Sequence, residues 1–265
     1  MMLIIFLMST ASSVPGERRP LLQALVLERR ILFACTVLVG LSTFVWIAAV
    51  TTKKWFIIDA GSGILLPSHR YLLWSESGVW EICRYLLQPP ANQNATATAA
   101  GPPKGDQVMK CTNYLAAPEM EKGKFLDGAY NIDVANYVRT MTSFAIISLF
   151  VIVMGFGFSI YTFRNPRYMF KRLAAGIHFI STSCTFVVVQ VMMTTVDHIE
   201  KFVKFVYPEG SLFPSYHISF FIAWFVVLIN VAAAGSFLWY SRKRKGDKAA
   251  TDELAMADEP TIIGR

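Results

Sequence analysis

Residues 31–50 read ILFACTVLVGLSTFVWIAAV, twenty positions without an Asp, Glu, Lys or Arg. A helix needs about 20 such residues, at 1.5 Å each, to cross the hydrocarbon core of a bilayer. Three more charge-free runs follow, over residues 140–163, 173–196 and 218–240. The third contains His178 and Gln190, which are polar but uncharged at neutral pH. Hydrocarbon offers no water to an unpaired amide or carbonyl, so each run is expected to be a helix. The fold class is therefore a membrane all-α four-helix bundle.

Composition agrees. Apolar residues make up 54% of the 265 positions and charged ones 16%, a balance that leaves too few polar faces for a soluble domain. The formal charge of +7 does not point to nucleic acid, because the basic residues flank apolar runs instead of forming an aromatic-interleaved stripe. Membrane lipid is the expected surrounding, with no nucleic-acid partner.

The flanks set the orientation. Arg18, Arg19, Arg29 and Arg30 precede the first span, and Arg164, Arg167, Lys171 and Arg172 occupy the tight link over 164–172. The fourth span is followed by Arg242, Lys243, Arg244 and Lys245. Excess Lys and Arg mark cytoplasmic segments. Residues 1–30, 164–172 and 241–265 are thus expected in the cytoplasm, and 51–139 and 197–217 outside, in a multi-pass protein of the plasma membrane. Residues 1–13 have signal-peptide length but no basic segment before them, which leaves a cleaved leader, a membrane-surface segment and an upstream start as alternatives.

The outer segment over 51–139 is rich in aromatic and β-branched residues around Trp55, Tyr71–Trp74, Val79–Leu86 and Lys110–Leu115, punctuated by Gly61, Gly63, Pro67 and Gly78. This pattern predicts a small antiparallel sheet resting on the outer end of the bundle. Residues 88–107 are dominated by Pro, Ala, Asn, Thr and Gly and read as a flexible insertion. Within it Asn94-Ala95-Thr96 is a glycosylation sequon, making Asn94 the expected acceptor. Cys83 and Cys111 are the cysteines outside the spans, on the oxidising side, and are expected to pair. Their bond would close a loop of 29 residues, stabilising the fold by roughly 3–4 kcal/mol. Cys35 and Cys184 fall inside spans and read as packing residues. In the second outer segment, residues 197–206 alternate apolar and charged residues at helical spacing, so the third helix should continue beyond the bilayer until Pro208 and Gly210.

A span followed by Trp55, then Gly78-Val79-Trp80 and Cys83, a second Cys111, and Arg139 opening the second span, resembles the claudin superfamily. That superfamily comprises tight-junction claudins, peripheral-myelin-type proteins and gamma subunits of voltage-gated calcium channels. Its signature is W…G-L-W-x-x-C…C with an arginine at the outer start of the second helix; Val79 replaces the usual leucine. The resemblance implies a claudin-like fold, no catalysis and no cofactor. In claudins the two loop cysteines are typically about ten residues apart, whereas here 27 residues intervene. This long, sequon-bearing gap is more similar to calcium-channel gamma subunits, as are Trp80–Cys83, Lys110–Tyr114 and the Pro214–Phe220 entry to the fourth span. The leading expectation is an auxiliary subunit packed against a pore-forming channel subunit and modulating its gating. The alternative is a junctional adhesion or barrier protein meeting like proteins on the same or a neighbouring cell, with Glu76, Glu81, Lys110 and Lys122 tuning paracellular selectivity. The terminal Arg265 does not offer the apolar side chain that a PDZ groove takes, a departure from both groups.

His178, Gln190 and Asn230 inside spans are expected to hydrogen-bond between helices, since no carboxylate or lysine accompanies them. Gly155, Gly157, Gly176 and Gly235 would let helices approach closely. No nucleophile elbow, phosphate-binding glycine loop or metal-ligand spacing is present in the sequence, and the four histidines are scattered. No metal is expected.

Overall fold

The computed structural model describes residues 19–66, 70–88, 105–114, 124–126, 129–130, 132–165, 167–206 and 213–241. Asn94, Pro67, Lys122, Pro208, Gly210, residues 1–13 and the basic run 242–245 lie outside them. Four helices dominate: α1 (Arg19–Thr51), α2 (Ile132–Arg164), α3 (Tyr168–Val206) and α4 (Ile218–Trp239). Each is long and apolar enough to cross a membrane. They pack as a closed ring in which α1 touches α2 and α4, and α3 touches α2 and α4.

Helix lengths exceed the charge-free runs. At 39 residues α3 is about 58 Å long, nearly twice a bilayer's hydrocarbon thickness. Its last turns carry the expected charged alternation, and the pairs Asp197–Lys201 (2.7 Å) and Glu200–Lys204 (2.5 Å), four residues apart, support the projecting end.

Between α1 and α2 the chain forms β1 (Phe56–Leu65), β2 (Tyr71–Ser77), β3 (Glu81–Gln88) and β4 (Asp106–Asn113), then a short hairpin of β5 (Lys124–Leu126) and β6 (Ala129–Tyr130). A further strand, β7 (Phe213–Tyr216), lies between α3 and α4. The main sheet has the order β4-β3-β2-β1-β7, with every pairing antiparallel. Thus the sheet is not confined to the first outer segment, as the sequence reading had it: the second supplies an edge strand. Pro214 fits there because an edge strand needs no ladder N–H on its free side. Midway along β1 the register shifts between Asp59 and Ile64, where Gly61 (φ 55°) and Gly63 (φ 92°) take up backbone conformations that other residues resist.

Strand alternation turns Phe56, Ile58, Leu72, Ile82 and Leu86 toward the helices. They join Trp46, Val138, Met141, Val188, Met192 and Val226 in one apolar cluster running from the sheet into the adjoining half of the bundle. The half away from the sheet has a much smaller cluster of Leu32, Ala174, Ala175 and Phe237. At that far end Arg29, Arg30, Arg164, Arg167 and Arg172 are exposed, while Lys171 is paired with Glu28 across α3 and α1 with both side chains mostly buried.

Candidate functional site

The residues singled out from the sequence converge where the sheet meets the bundle. Trp55 follows the end of α1 and is fully buried; its indole Nε1 donates to the Ala49 carbonyl at 2.8 Å. Its ring stands edge-on to Trp46, with centroids 5.9 Å apart. This fixes the angle at which the chain leaves α1 and enters β1. The Trp55 N–H donates to Ser77 (3.1 Å), and the Trp55 carbonyl accepts from His217 N–H (2.9 Å). One residue thus ties the ends of β2 and β7 together.

Gly78 lies against the end of α1. A Cβ there would stand 2.6 Å from the Thr52 carbonyl oxygen and 3.0 Å from Lys53 Cα, both backbone atoms that cannot swing aside. A side chain would push the sheet off the helix. Val79 is fully buried and its carbonyl accepts the Thr142 hydroxyl at 3.0 Å, which fastens the turn to α2. Trp80 is half-buried against the main cluster, and its carbonyl accepts Tyr114 N–H at 2.8 Å. The G-V-W step is therefore a three-way joint between sheet, α1 and α2, and valine fills it as an apolar, β-favouring side chain.

Cys83 and Cys111 are directly opposite each other on β3 and β4 and are joined by a disulfide. Lys53 sits over this pair, with Nζ 3.0 Å from Glu81 Oε1 and 3.6 Å from Cys83 Sγ. Glu81 and the two sulfurs form a compact trio, but the sulfurs are bonded to each other and the carboxylate is ion-paired, so the trio presents no thiolate ligands.

Arg139 is not brought to this joint. It is exposed on α2, and no described residue pairs with its guanidinium. Asn94 lies outside the described residues. The sequence reading gave no structural role to three further residues of the joint, although Tyr114 and Ser219 lay within segments it compared with gamma subunits. Tyr114 is buried, and its hydroxyl is 2.6 Å from that of Ser77. Burial pushes the phenol pKa up to about 12, partly offset by the Ser77 hydrogen bond. The Thr52 and Ser219 hydroxyls meet at 2.7 Å and connect the end of α1 to the start of α4. Small polar residues at helix ends give little signal in a sequence, because their partners come from a distant element.

Within the bundle, His178 is buried, with Nε2 2.6 Å from the Ser159 hydroxyl of α2 and the ring stacked on Phe237. Gly155 leaves room for it: a Cβ there would come within 3.1 Å of the imidazole. This is an interhelical bond of the expected kind. Asn230 is buried; its amide donates to the Val226 carbonyl of its own helix at 2.9 Å, and its side chain also reaches His178 on α3, an interhelical contact as expected. The expectation for Gln190 needs correction. Gln190 faces outward and is exposed, because the inward face of that turn is taken by Val188, Val189 and Met192.

A family model described as PMP-22/EMP/MP20/Claudin tight junction matches residues 40–239. No match was found among curated proteins. The match covers the last third of α1, the whole sheet and the remaining three helices, and includes the Trp55–Gly78–Trp80 joint. The chain belongs to the PMP-22/EMP/MP20/claudin family of multi-pass membrane proteins.

Proposed function

We propose that this chain is a non-enzymatic auxiliary subunit of the gamma type that modulates a voltage-gated calcium channel. The observation that carries the reading is the length of the β3–β4 ribbon. Beyond the disulfide the two strands stay paired from Arg84↔Lys110 to Gln88↔Asp106, before residues 89–104 connect them. A two-stranded arm of this kind, stiffened at its base by a covalent cross-link and carrying a sequon in its connection, is similar to the enlarged loop of gamma subunits. It suits contact with the outer domain of a neighbouring protein. Orientation is part of the proposal: sheet and glycosylated Asn94 outside the plasma membrane, arginine-rich end and both termini in the cytoplasm.

Such a subunit acts on gating by binding one channel state more tightly than another, since a partner shifts an equilibrium only through differential affinity. Co-purification with pore-forming calcium-channel subunits, together with current recordings with and without this chain, tests the reading. Complex formation and a shifted voltage dependence are expected; no complex and unchanged currents would remove it.

A second reading, junctional adhesion, draws on the face of the sheet turned away from the bundle. There Phe213, Asp59, Trp74, Tyr85 and Met109 stand in one row across five strands, with Trp74 and Tyr85 stacked at 3.7 Å and Phe213 and Met109 exposed. An aromatic-rich row facing outward, interrupted by the single carboxylate of Asp59, suits contact across an intercellular gap. Enrichment at lateral cell contacts would favour this reading, and uniform surface staining would count against it.

A further inference from the structure

We propose that the arginine-rich end of the bundle binds phospholipid headgroups that carry more than one phosphate, in the leaflet it faces. The centre of the site is the link between α2 and α3, where Arg164, Arg167 and Arg172 are all exposed. Arg29 and Arg30 of α1 are exposed at the same level, because neighbouring Glu28 is paired with Lys171, next to Arg172. In the ring α1 and α3 stand opposite each other, so this ion pair reaches across its mouth.

The pair also occupies the local carboxylate. Glu28 is the acid at this end among the described residues, and Lys171 neutralises it with both side chains mostly buried. None of the five arginines meets a carboxylate among the described residues. Five positive charges therefore crowd one end of the molecule without a counter-charge, and such a patch attracts anions of high charge. The planar fork of a guanidinium fits two oxygens of one phosphate. A headgroup with several phosphates can bridge several arginines, which a singly charged one cannot. At the other end the charges are already matched: Lys201 is paired with Asp197, and Lys204 with Glu200.

A second observation selects a lipid over a free phosphate. Phe163, Tyr168, Met169 and Trp239 are exposed at the same end. Aromatic side chains collect where hydrocarbon gives way to headgroups. They set the arginines at phosphate depth, and Arg172 lies with its guanidinium carbon 5.7 Å over the Tyr168 ring. Acyl chains would cover these apolar surfaces; a soluble phosphate would leave them bare. Anionic lipids enrich the cytoplasmic leaflet, the one this end faces in the proposed orientation. The headgroup chemistry itself depends neither on that orientation nor on the role of the β3–β4 arm.

Titration of the full chain in detergent micelles with a fluorescent phosphatidylinositol bisphosphate tests the proposal. Unlabelled phosphatidylinositol bisphosphate should displace the probe, phosphatidylcholine should not, and soluble inositol trisphosphate should compete only weakly. Combining Arg164→Gln, Arg167→Gln and Arg172→Gln should weaken binding roughly a hundredfold, at about fivefold for each arginine near an anionic surface. All three side chains are exposed, so this variant should fold, checked by retention of the Cys83–Cys111 bond. Lys201→Gln with Lys204→Gln, at the opposite end, should leave binding unchanged. Displacement by phosphatidylcholine, equal competition by the soluble headgroup, unaltered binding by the triple variant, or an equal loss in the lysine variant would each overturn the proposal.

Discussion

At the sheet end of the molecule, Trp46, Trp55, Phe56, Ile82, Leu86 and Met141 belong to one cluster that draws on all four helices and on β1, β2 and β3, and is braced by a disulfide. At the opposite end of the same four helices, the buried apolar cluster is Leu32, Ala174, Ala175 and Phe237, supplemented by the His178–Ser159 hydrogen bond and the Glu28–Lys171 ion pair. The difference follows from the solvent each half would otherwise meet. Residues of the sheet leave water when they pack on the helix ends, so large aromatic side chains gain the full hydrophobic effect. Helix surfaces already in hydrocarbon gain nothing of that kind by touching. They associate through close packing of small residues and a few polar bonds. The far half accordingly uses alanine, glycine and histidine where the near half uses tryptophan.

This contrast can be broken by substitution. The largest loss is expected for Trp55→Ala, which empties the centre of the joint and frees the Ala49 carbonyl; about 3–5 kcal/mol of stability should disappear in a detergent unfolding assay. Next comes Cys83→Ser with Cys111→Ser, expected to cost about 2–4 kcal/mol and to speed proteolysis of β4 while leaving the four helices assembled. Ser159→Ala removes the partner of His178 in the far half, and about 1 kcal/mol is expected there, read as a modest fall in melting temperature. Lys201→Ala breaks an exposed pair on the projecting end of α3, and its effect should be about 0.5 kcal/mol or less. If Ser159→Ala proved as damaging as Trp55→Ala, the division between the two halves would be wrong. Tyr114 sharpens the picture in another way. Its phenol keeps its proton up to about pH 12 in the folded state, so stability present below pH 10 should fall as pH rises from about 10 toward 12. Tyr114→Phe should lose that alkaline slope in the same unfolding assay.

How far the sequence reached depended on how local each signal was. Charge-free length marked the four spans, and helical alternation correctly carried α3 past Asp197. The first four strands were legible from β-branched and aromatic runs between glycines. The strand β7 was not, because four residues containing Pro214 and Ser215 look like a loop until β1 supplies their partner. The motif residues were legible as a pattern, but their reason was not: that Gly78 must clear the backbone of Thr52 appears only when α1 and the sheet are brought together. Gln190 was assigned to the wrong face since a span with apolar residues all round has no polar side to show which way it is turned. The interior of α3 is set by Val188, Val189 and Met192, which look no different in sequence from residues facing lipid.

The most direct test of the whole account is the side of the membrane on which the sheet stands. Met109→Cys is exposed on β4 and Arg167→Cys is exposed at the arginine-rich end. A membrane-impermeant maleimide applied to intact cells should label Met109→Cys and reach Arg167→Cys only after permeabilisation. The opposite pattern would put Cys83 and Cys111 in a reducing compartment and contradict both the cross-link and the proposed contact with an outer partner.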